Sequence, residues 1–319
     1  MDIICSRKPG LSNAWYEAAQ YLDEVYEAEY RGWKSTTQLV APTRMVLLYE
    51  RHDHEMCEDV QERANIIGGS GTHEILKMAA EHYGHKLCEQ RFTIPFSERE
   101  IGIKADRVDP IPNTEPLEFK LIEFKECKTW AIILGEKEDW IWQCRIQAYA
   151  LRQIGINVTQ AQVDALIKDW SISNLEKAQR EHKDYPEHQI LDIHIDLGSD
   201  SEVEEYLSSR IQLLLENETV PDDELPECTP KERWMRDECF KIWKRGKTDK
   251  ASVATVKDEN GRRVPMTTRQ MAEDAMEEKG YSTADYEIRY HPGQCTRCKH
   301  YCTARTFCNQ YLASQKEGF

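Results

Sequence analysis

Leu117-Glu118-Phe119-Lys120-Leu121-Ile122-Glu123-Phe124-Lys125-Glu126-Cys127-Lys128-Thr129 is the stretch on which the reading of this 319-residue chain turns. Its short apolar runs and alternations predict a half-buried strand. Side chains alternate between the faces of a strand, so Glu123 and Lys125 point one way while Phe124 faces the core. A carboxylate and an amine are thereby presented together at one edge of a buried run.

The neighbouring segments extend this strand into a sheet. Upstream, RFTIPF (91–96) and EIGIKADRVD (100–109) show similar short apolar runs, and PIPNTEP (110–116) separates them from the strand, which is expected to run on through TWAIIL to 134. Downstream, DWIWQCRIQAYALRQIG (139–155) returns to helical spacing and stops at Gly155, after which VDALIK (163–168) and QILDIHIDL (189–197) read as two more strands. Strands, a helix and further strands predict an α/β core.

Three helices are expected before that core. One spans about 12–31 with Ser12 as N-cap, one starts at Thr43 after Pro42, and one covers THEILKMAAEHYG (72–84) after Gly68-Gly69-Ser70-Gly71. From Ser201 onward the chain reads as mostly helical and polar, with a linker at NETVPDDELPE (217–227) and a hairpin or loop insertion at KDENGRRVPMT (257–267). The division expected is a helical N-terminal region over 1–65, a core over 66–200 and a helical C-terminal region over 201–319.

Chemistry-bearing residues fall on four of the core elements. Gly69-x-x-x-His73 opens a helix, Asp106 lies in a strand, Glu123-Phe124-Lys125 follows 17 residues later, and Gln143 lies on the next helix. Asp106 and Glu123 can meet across neighbouring strands. With His73 they offer hard oxygen and nitrogen ligands suited to Mg²⁺ or Mn²⁺. Two alternatives stay open: Glu126 and Lys128 form a second Glu-x-Lys of opposite strand parity, and Gln147 competes with Gln143.

Eleven cysteines are present, and Cys295-x2-Cys298-x3-Cys302-x5-Cys308 puts four within 14 residues. Clustered thiols in a reducing compartment indicate metal binding, by Zn²⁺ or an iron–sulfur cluster. Cys5, Cys57, Cys88, Cys127, Cys144 and Cys239 are scattered, as buried or incidental cysteines are.

"GTHEIL", "GIKADRVD", "LIEFK" and "DWIWQCRIQAY" stand in the order of the histidine, Asp, Glu-x-Lys and Gln motifs of RecB-type enzymes. The chain resembles the PD-(D/E)XK nuclease superfamily over roughly residues 36 to 310. The resemblance implies a restriction-endonuclease-like mixed sheet flanked by helices, with helical N- and C-terminal extensions. It also implies that His73, Asp106, Glu123 and the Phe124 carbonyl bind Mg²⁺ or Mn²⁺, that Lys125 serves the attacking water, and that Gln143 positions the site or the substrate phosphate. Tyr149 stands two residues beyond the place where the family often carries tyrosine. "LPECTPKERW", "KIWKRGK" and "RYHPGQCTRCKHYCTARTFC" are similar to phage-type relatives of AddB and of the CRISPR-associated RecB-like enzymes. In these a 4Fe-4S cluster is held by positions matching Cys228, Cys298, Cys302 and Cys308, with Cys295 the alternative fourth ligand.

The activity implied is metal-dependent hydrolysis of single-stranded DNA or DNA ends, in phage or bacterial recombination, repair or replication, with helicase or recombination proteins as partners. A net charge of −15 argues against binding nucleic acid through bulk charge. Local charge differs, since Lys231–Lys250 carries eight Lys and Arg against four Asp and Glu, an excess of four positive charges. Trp234, Lys241, Trp243, Lys244 and Arg245 are its candidate DNA contacts, cations on phosphates and rings on bases. The alternative is a non-catalytic DNA-binding or interaction protein on the same scaffold; an acidic DNA mimic is the third reading. No apolar run approaches membrane-spanning length and the N-terminus lacks the features of a signal peptide, so no membrane partner and a cytoplasmic location are expected.

Overall fold

Thirteen residues, Arg99–Ile111, form the longest strand and the organiser of the sheet. The computed structural model that reveals this describes residues 4–6, 13–27, 32–56, 58–133, 135, 137–259, 261 and 263–316. Ile101, Ile103, Ala105 and Val108 are buried along this strand. One edge pairs antiparallel with Cys88–Phe96, from Phe96 opposite Arg99 to Cys88 opposite Arg107. On its other side it meets Lys34–Ser35 in parallel, and Glu118–Cys127 antiparallel from Arg107–Ile122 to Ile111–Glu118. Glu118–Cys127 pairs in parallel with Val158–Ile167, which pairs antiparallel with Ile190–Ile195. The chain is therefore mixed α/β, with a central mixed sheet flanked by helices.

Parallel neighbours need a crossover, and the helix Glu138–Gln153 lies in the one joining Glu118–Cys127 to Val158–Ile167. Cys144, Ile146, Ala148, Ala150 and Leu151 of this helix are fully buried. The helix Asp200–Glu216 packs against it and starts in a capping box between Ser199 and Glu202. Its buried residues Val203, Leu207, Ile211 and Leu214 recur at three- and four-residue steps, the spacing of one helical face.

Three expectations need correction. The glycines 68, 69 and 71 lie inside a 19-residue helix, Ala64–His82, rather than ahead of it. Each glycine costs about 1 kcal/mol relative to alanine, and packing on Cys88–Phe96, Glu118–Cys127 and the helix Asn13–Glu27 overrides that preference. The Glu-x-Lys strand ends at Cys127, and Thr129–Ile133 is a short helix whose Thr129 amide and hydroxyl both donate to Asp169. The expected N-cap Ser12 lies outside the described residues.

The third correction concerns the C-terminal part. Contacts divide the chain into Met1–Ala41 with Asp53–Glu218, and Pro42–His52 with Thr219–Phe319. Thus Asp200–Glu216 belongs with the sheet unit, and the helix Thr43–His52 belongs with the C-terminal unit. The latter unit is not mostly helical. Cys239–Lys244 pairs antiparallel with Tyr286–His291, and Thr255–Lys257 with Arg263–Pro265 in the hairpin region. Ile242, Val253, Met266, Ala272, Ala275 and Met276 form its core. Among the described residues, no helix is long and apolar enough to cross a membrane.

Candidate metal centre and cysteine pocket

Asp106 and Glu123 sit side by side because their strands are hydrogen-bonded neighbours whose ladder reaches Arg107–Ile122, one step away. Both are buried, at 5% and 2% exposure. The Phe124 amide donates to Asp106 Oδ2 at 2.8 Å, which fixes one carboxylate oxygen. Burial, then repulsion from Glu123, pushes the Asp106 carboxyl up to about 8.

Glu123 meets the next two residues of the set. Lys125 Nζ donates to Glu123 Oε1 at 2.6 Å and to Gln143 Oε1 at 2.9 Å, and Gln143 Nε2 donates to Glu123 Oε1 at 2.5 Å. Glu123 Oε2 is buried with no hydrogen-bond partner. Burial would lower the Lys125 pKa, but Glu123 beside it outweighs that and raises it, so Lys125 is an ammonium at neutral pH.

The structure also separates the residues that competed in sequence. Glu126 accepts from Thr72 Oγ1 at 2.6 Å and pairs with Lys168 at 2.9 Å, while Lys128 lies exposed beyond the strand end. Gln147 is 1% exposed and donates to the Lys104 carbonyl at 3.0 Å, one helical turn from Gln143. Tyr149 is buried and donates to Glu204 at 3.1 Å.

His73 reaches the same region from the middle of the Ala64–His82 helix. Its Nδ1 lies 2.7 Å from Glu89 Oε1 and 3.6 Å from Asp106 Oδ1, and its ring meets Phe124 edge-on at 5.9 Å. His73, Glu89 and Asp106 each offer a ligand atom within 4.8 Å of the others. Glu89 was not legible in the sequence, because an acid in CEQRFTIPF is ordinarily a solvated strand residue. The cross-strand register reveals it, since it lies between the pairs Cys88–Arg107 and Gln90–Ala105, opposite Asp106. The hydrogen bond from His73 to Glu89 is the main cause of a raised His73 pKa. Burial alone would raise the Glu89 pKa, but its bonds to His73 and Lys104 outweigh that and lower it.

This donor set fits a hard divalent cation on two observations. Two buried carboxylates stand close enough to repel, and one of their oxygens has no partner. A bound cation would relieve both.

In the C-terminal unit, Cys228, Cys298, Cys302 and Cys308 line one pocket with Arg44, Met45, Leu48, Arg305, Gln310 and Tyr311. Cys228 comes from the segment after Pro226, Cys298 from the short helix Thr296–His300, and Cys302 and Cys308 flank the 3-10 turn Thr303–Phe307. Gln310 clasps Cys228 by accepting from its amide at 3.0 Å and donating to its carbonyl at 2.9 Å. Arg44, 2% exposed, donates to Leu225 and Pro226 carbonyls and to Asn309. Burial, then the neighbouring acid and thiols, pushes Cys228 up to about 12, and burial then Cys298 pushes Cys302 up to about 11. Such thiols stay protonated until a metal ion displaces the proton. Cys295 does not line the pocket; its Sγ lies 3.3 Å from Met235 Sδ. Cys57 and the side chain of Cys5 lie outside the described residues.

Of the basic aromatic stretch, Trp234 is 41% exposed, with Arg297 over its ring at 4.7 Å and Tyr301 edge-on at 5.2 Å. Trp243 corrects the expectation. It is 9% exposed in the Cys239–Lys244 strand, donates to His291 Nε2 at 3.3 Å and lies beneath Arg289, so its ring is not offered for stacking. Lys241 is half-buried and Lys244 exposed, while Arg245 is exposed and donates to the Thr283 carbonyl at 3.0 Å.

No family model and no curated protein matches the chain. Among solved structures, that of SSO0001 is similar over 63% of this chain and 86% of its own, with 14% identity and a TM-score of 0.42. A likeness at that level assigns neither family nor function.

Proposed function

We propose that this protein is a divalent-cation-dependent deoxyribonuclease of the PD-(D/E)XK type, RecB-like, acting on single-stranded DNA or DNA ends. The observation that carries the reading is the convergence of Asp106, Glu123, Lys125 and Gln143, with His73 and Glu89 alongside, from two strands and a helix of the central sheet. Isolated acids and lysines are common on sheets; a buried carboxylate pair with an orphaned oxygen and an adjoining ammonium is costly unless it has work to do.

In this reading Asp106, Glu123, His73 and the Phe124 carbonyl would hold Mg²⁺ or Mn²⁺. The cation, when bound, supplies a Lewis acid at a phosphodiester oxygen. Lys125 presents its ammonium to the water and to the charge that develops on the phosphate, while Gln143 holds Lys125 and Glu123 in register. The Phe124 amide keeps Asp106 from rotating.

The four pocket thiols support a second group, a 4Fe-4S cluster with Zn²⁺ as the competing occupant, held by Cys228, Cys298, Cys302 and Cys308. Its role in this reading is to tie the Cys228 segment to the C-terminal helical turns. Trp234 and Arg297 are the supported DNA contacts outside the sheet unit, with Lys244 as a phosphate contact.

End-labelled single- and double-stranded DNA, incubated with the protein in Mg²⁺, Mn²⁺ or EDTA, tests the reading. Cleavage that requires the cation and disappears in Glu123→Ala and Lys125→Ala is expected. Binding without cation-dependent cleavage overturns it in favour of a non-catalytic DNA-binding protein.

A further inference from the structure

Glu89 belongs to no motif recognised in the sequence, yet it is held more firmly than a surface acid in a strand needs to be. Its side chain is only 7% exposed. One oxygen lies 2.7 Å from His73 Nδ1, and the other is paired with Lys104. Lys104 is fixed in turn, because its carbonyl accepts from the buried Gln147 of the Glu138–Gln153 helix. The backbone of Glu89 is left-handed, with φ +54°, in the middle of a strand. A non-glycine residue there costs of order 1 kcal/mol or more, and such strain persists where the surroundings require it, most often at functional sites.

A histidine ring has two nitrogens, and the neutral ring carries one proton. Which nitrogen keeps it decides which nitrogen can bind a cation. Glu89, an ionised carboxylate paired with Lys104, can only accept a hydrogen bond. It therefore holds the proton on Nδ1 and leaves Nε2 bare. Carboxylates that orient a metal-binding imidazole in this way typically change metal affinity 10–100-fold when removed.

Resting on the nuclease reading above, we infer that Glu89 is the positioning residue of the metal centre. Anchored by Lys104, it fixes His73 as the Nδ1–H tautomer so that Nε2 faces the cation. Glu89 does not itself bind the cation.

Two measurements test this. The first is Mn²⁺ affinity, read from the paramagnetic resonance signal of free Mn²⁺, in the full-length protein and in Glu89→Gln, Glu89→Ala and His73→Ala. The glutamine amide oxygen still accepts from Nδ1–H, so Glu89→Gln should stay within about threefold of wild type while Glu89→Ala weakens binding about 10–100-fold. The second is the ¹⁵N spectrum of the His73 ring in metal-free protein, in alkaline buffer where the imidazole is neutral. Wild type and Glu89→Gln should show a protonated Nδ1, and Glu89→Ala should lose that preference while keeping the wild-type circular dichroism. An Nε2–H ring in wild type, or equal loss of Mn²⁺ in the glutamine and alanine variants, overturns the role of Glu89 and leaves the nuclease reading standing. A wild-type protein that binds no Mn²⁺ overturns both.

Discussion

The Phe124 backbone amide donates to Asp106 Oδ2 at 2.8 Å, so the residue between Glu123 and Lys125 is itself what holds the neighbouring strand's carboxylate. The Glu-x-Lys strand thus supplies two functional side chains and, through its backbone, restrains a third. This bond also explains why an uncharged replacement of Asp106 should be tolerated by the fold, since an asparagine carbonyl can accept from the same amide.

Asp106→Asn removes one of two mutually repelling buried carboxylates. In EDTA it should stabilise the protein by about 1–2 kcal/mol, a rise of roughly 2–8 °C in thermal midpoint. DNA cleavage should meanwhile fall by at least about 100-fold. Calorimetry and a gel assay on the same sample check the pair of outcomes, and an unchanged or lower midpoint would show that the repulsion is relieved some other way.

Replacement of Lys125 by methionine should abolish cleavage without loss of the folded state. The alkyl stem is retained, but Gln143 Oε1 and Glu123 Oε1 lose their shared donor. Lys128→Met, by contrast, alters an exposed side chain beyond the strand end and should leave the rate within about twofold. Equal losses in the two variants would reverse the choice of Glu-x-Lys pair.

The cysteines divide in the same way. Protein purified without oxygen should be brown and contain iron. Cys228→Ser should lose most of its colour, whereas Cys295→Ser, whose sulfur lies against Met235 rather than in the pocket, should keep it. Colourless wild-type protein containing stoichiometric zinc would replace the iron–sulfur assignment while keeping the four ligands.

Trp234 and Trp243 make opposite predictions although nine residues apart. Trp234→Ala removes an exposed ring and should weaken binding of single-stranded DNA by about 1–3 kcal/mol with little effect on stability. Trp243→Ala empties a buried site and should destabilise the protein by about 3–5 kcal/mol. Fluorescence titration with an oligonucleotide and chemical denaturation separate the two effects.

Asp222 gives the C-terminal unit an acid limb. Its carboxyl is held below the usual carboxylate range, chiefly by the bond to His52 and also by Arg51, against the opposing effect of burial. A depressed folded-state value contributes stability that is present above the unfolded value of about 3.9 and fades as pH falls through the lower folded one. Asp222→Asn should therefore flatten the loss of thermal stability below about pH 4, measured by circular dichroism melts across an acid series.

Much of the sheet and its carboxylate cluster could be read from the chain because strand alternation is a local property. Glu123 and Lys125 are two residues apart on a buried strand, so their shared face follows from geometry alone. Glu89 could not be found this way. Its significance depends on cross-strand register, a left-handed backbone and a partner 16 residues back on a helix, none of which leaves a periodic trace. The glycines 68, 69 and 71 misled for the converse reason: their local preference is against a helix, and contacts from distant segments reverse it. The Cys239–Lys244 strand was hidden by mixed charge, because the partner that makes it a strand, Tyr286–His291, lies more than 40 residues away.

Helix Thr43–His52 gives this chain an unusual order of assembly. Arg44 finds its acceptor carbonyl 181 residues later, at Leu225, and its side-chain partner later still, at Asn309. On the ribosome this helix emerges early and must wait, with Val46, Leu47 and Leu48 uncovered, until the far end of the polypeptide is made. Truncation after Glu218 would leave the same helix stranded without its burial partners, so a catalytic fragment would have to be cut from the gene in two pieces rather than one.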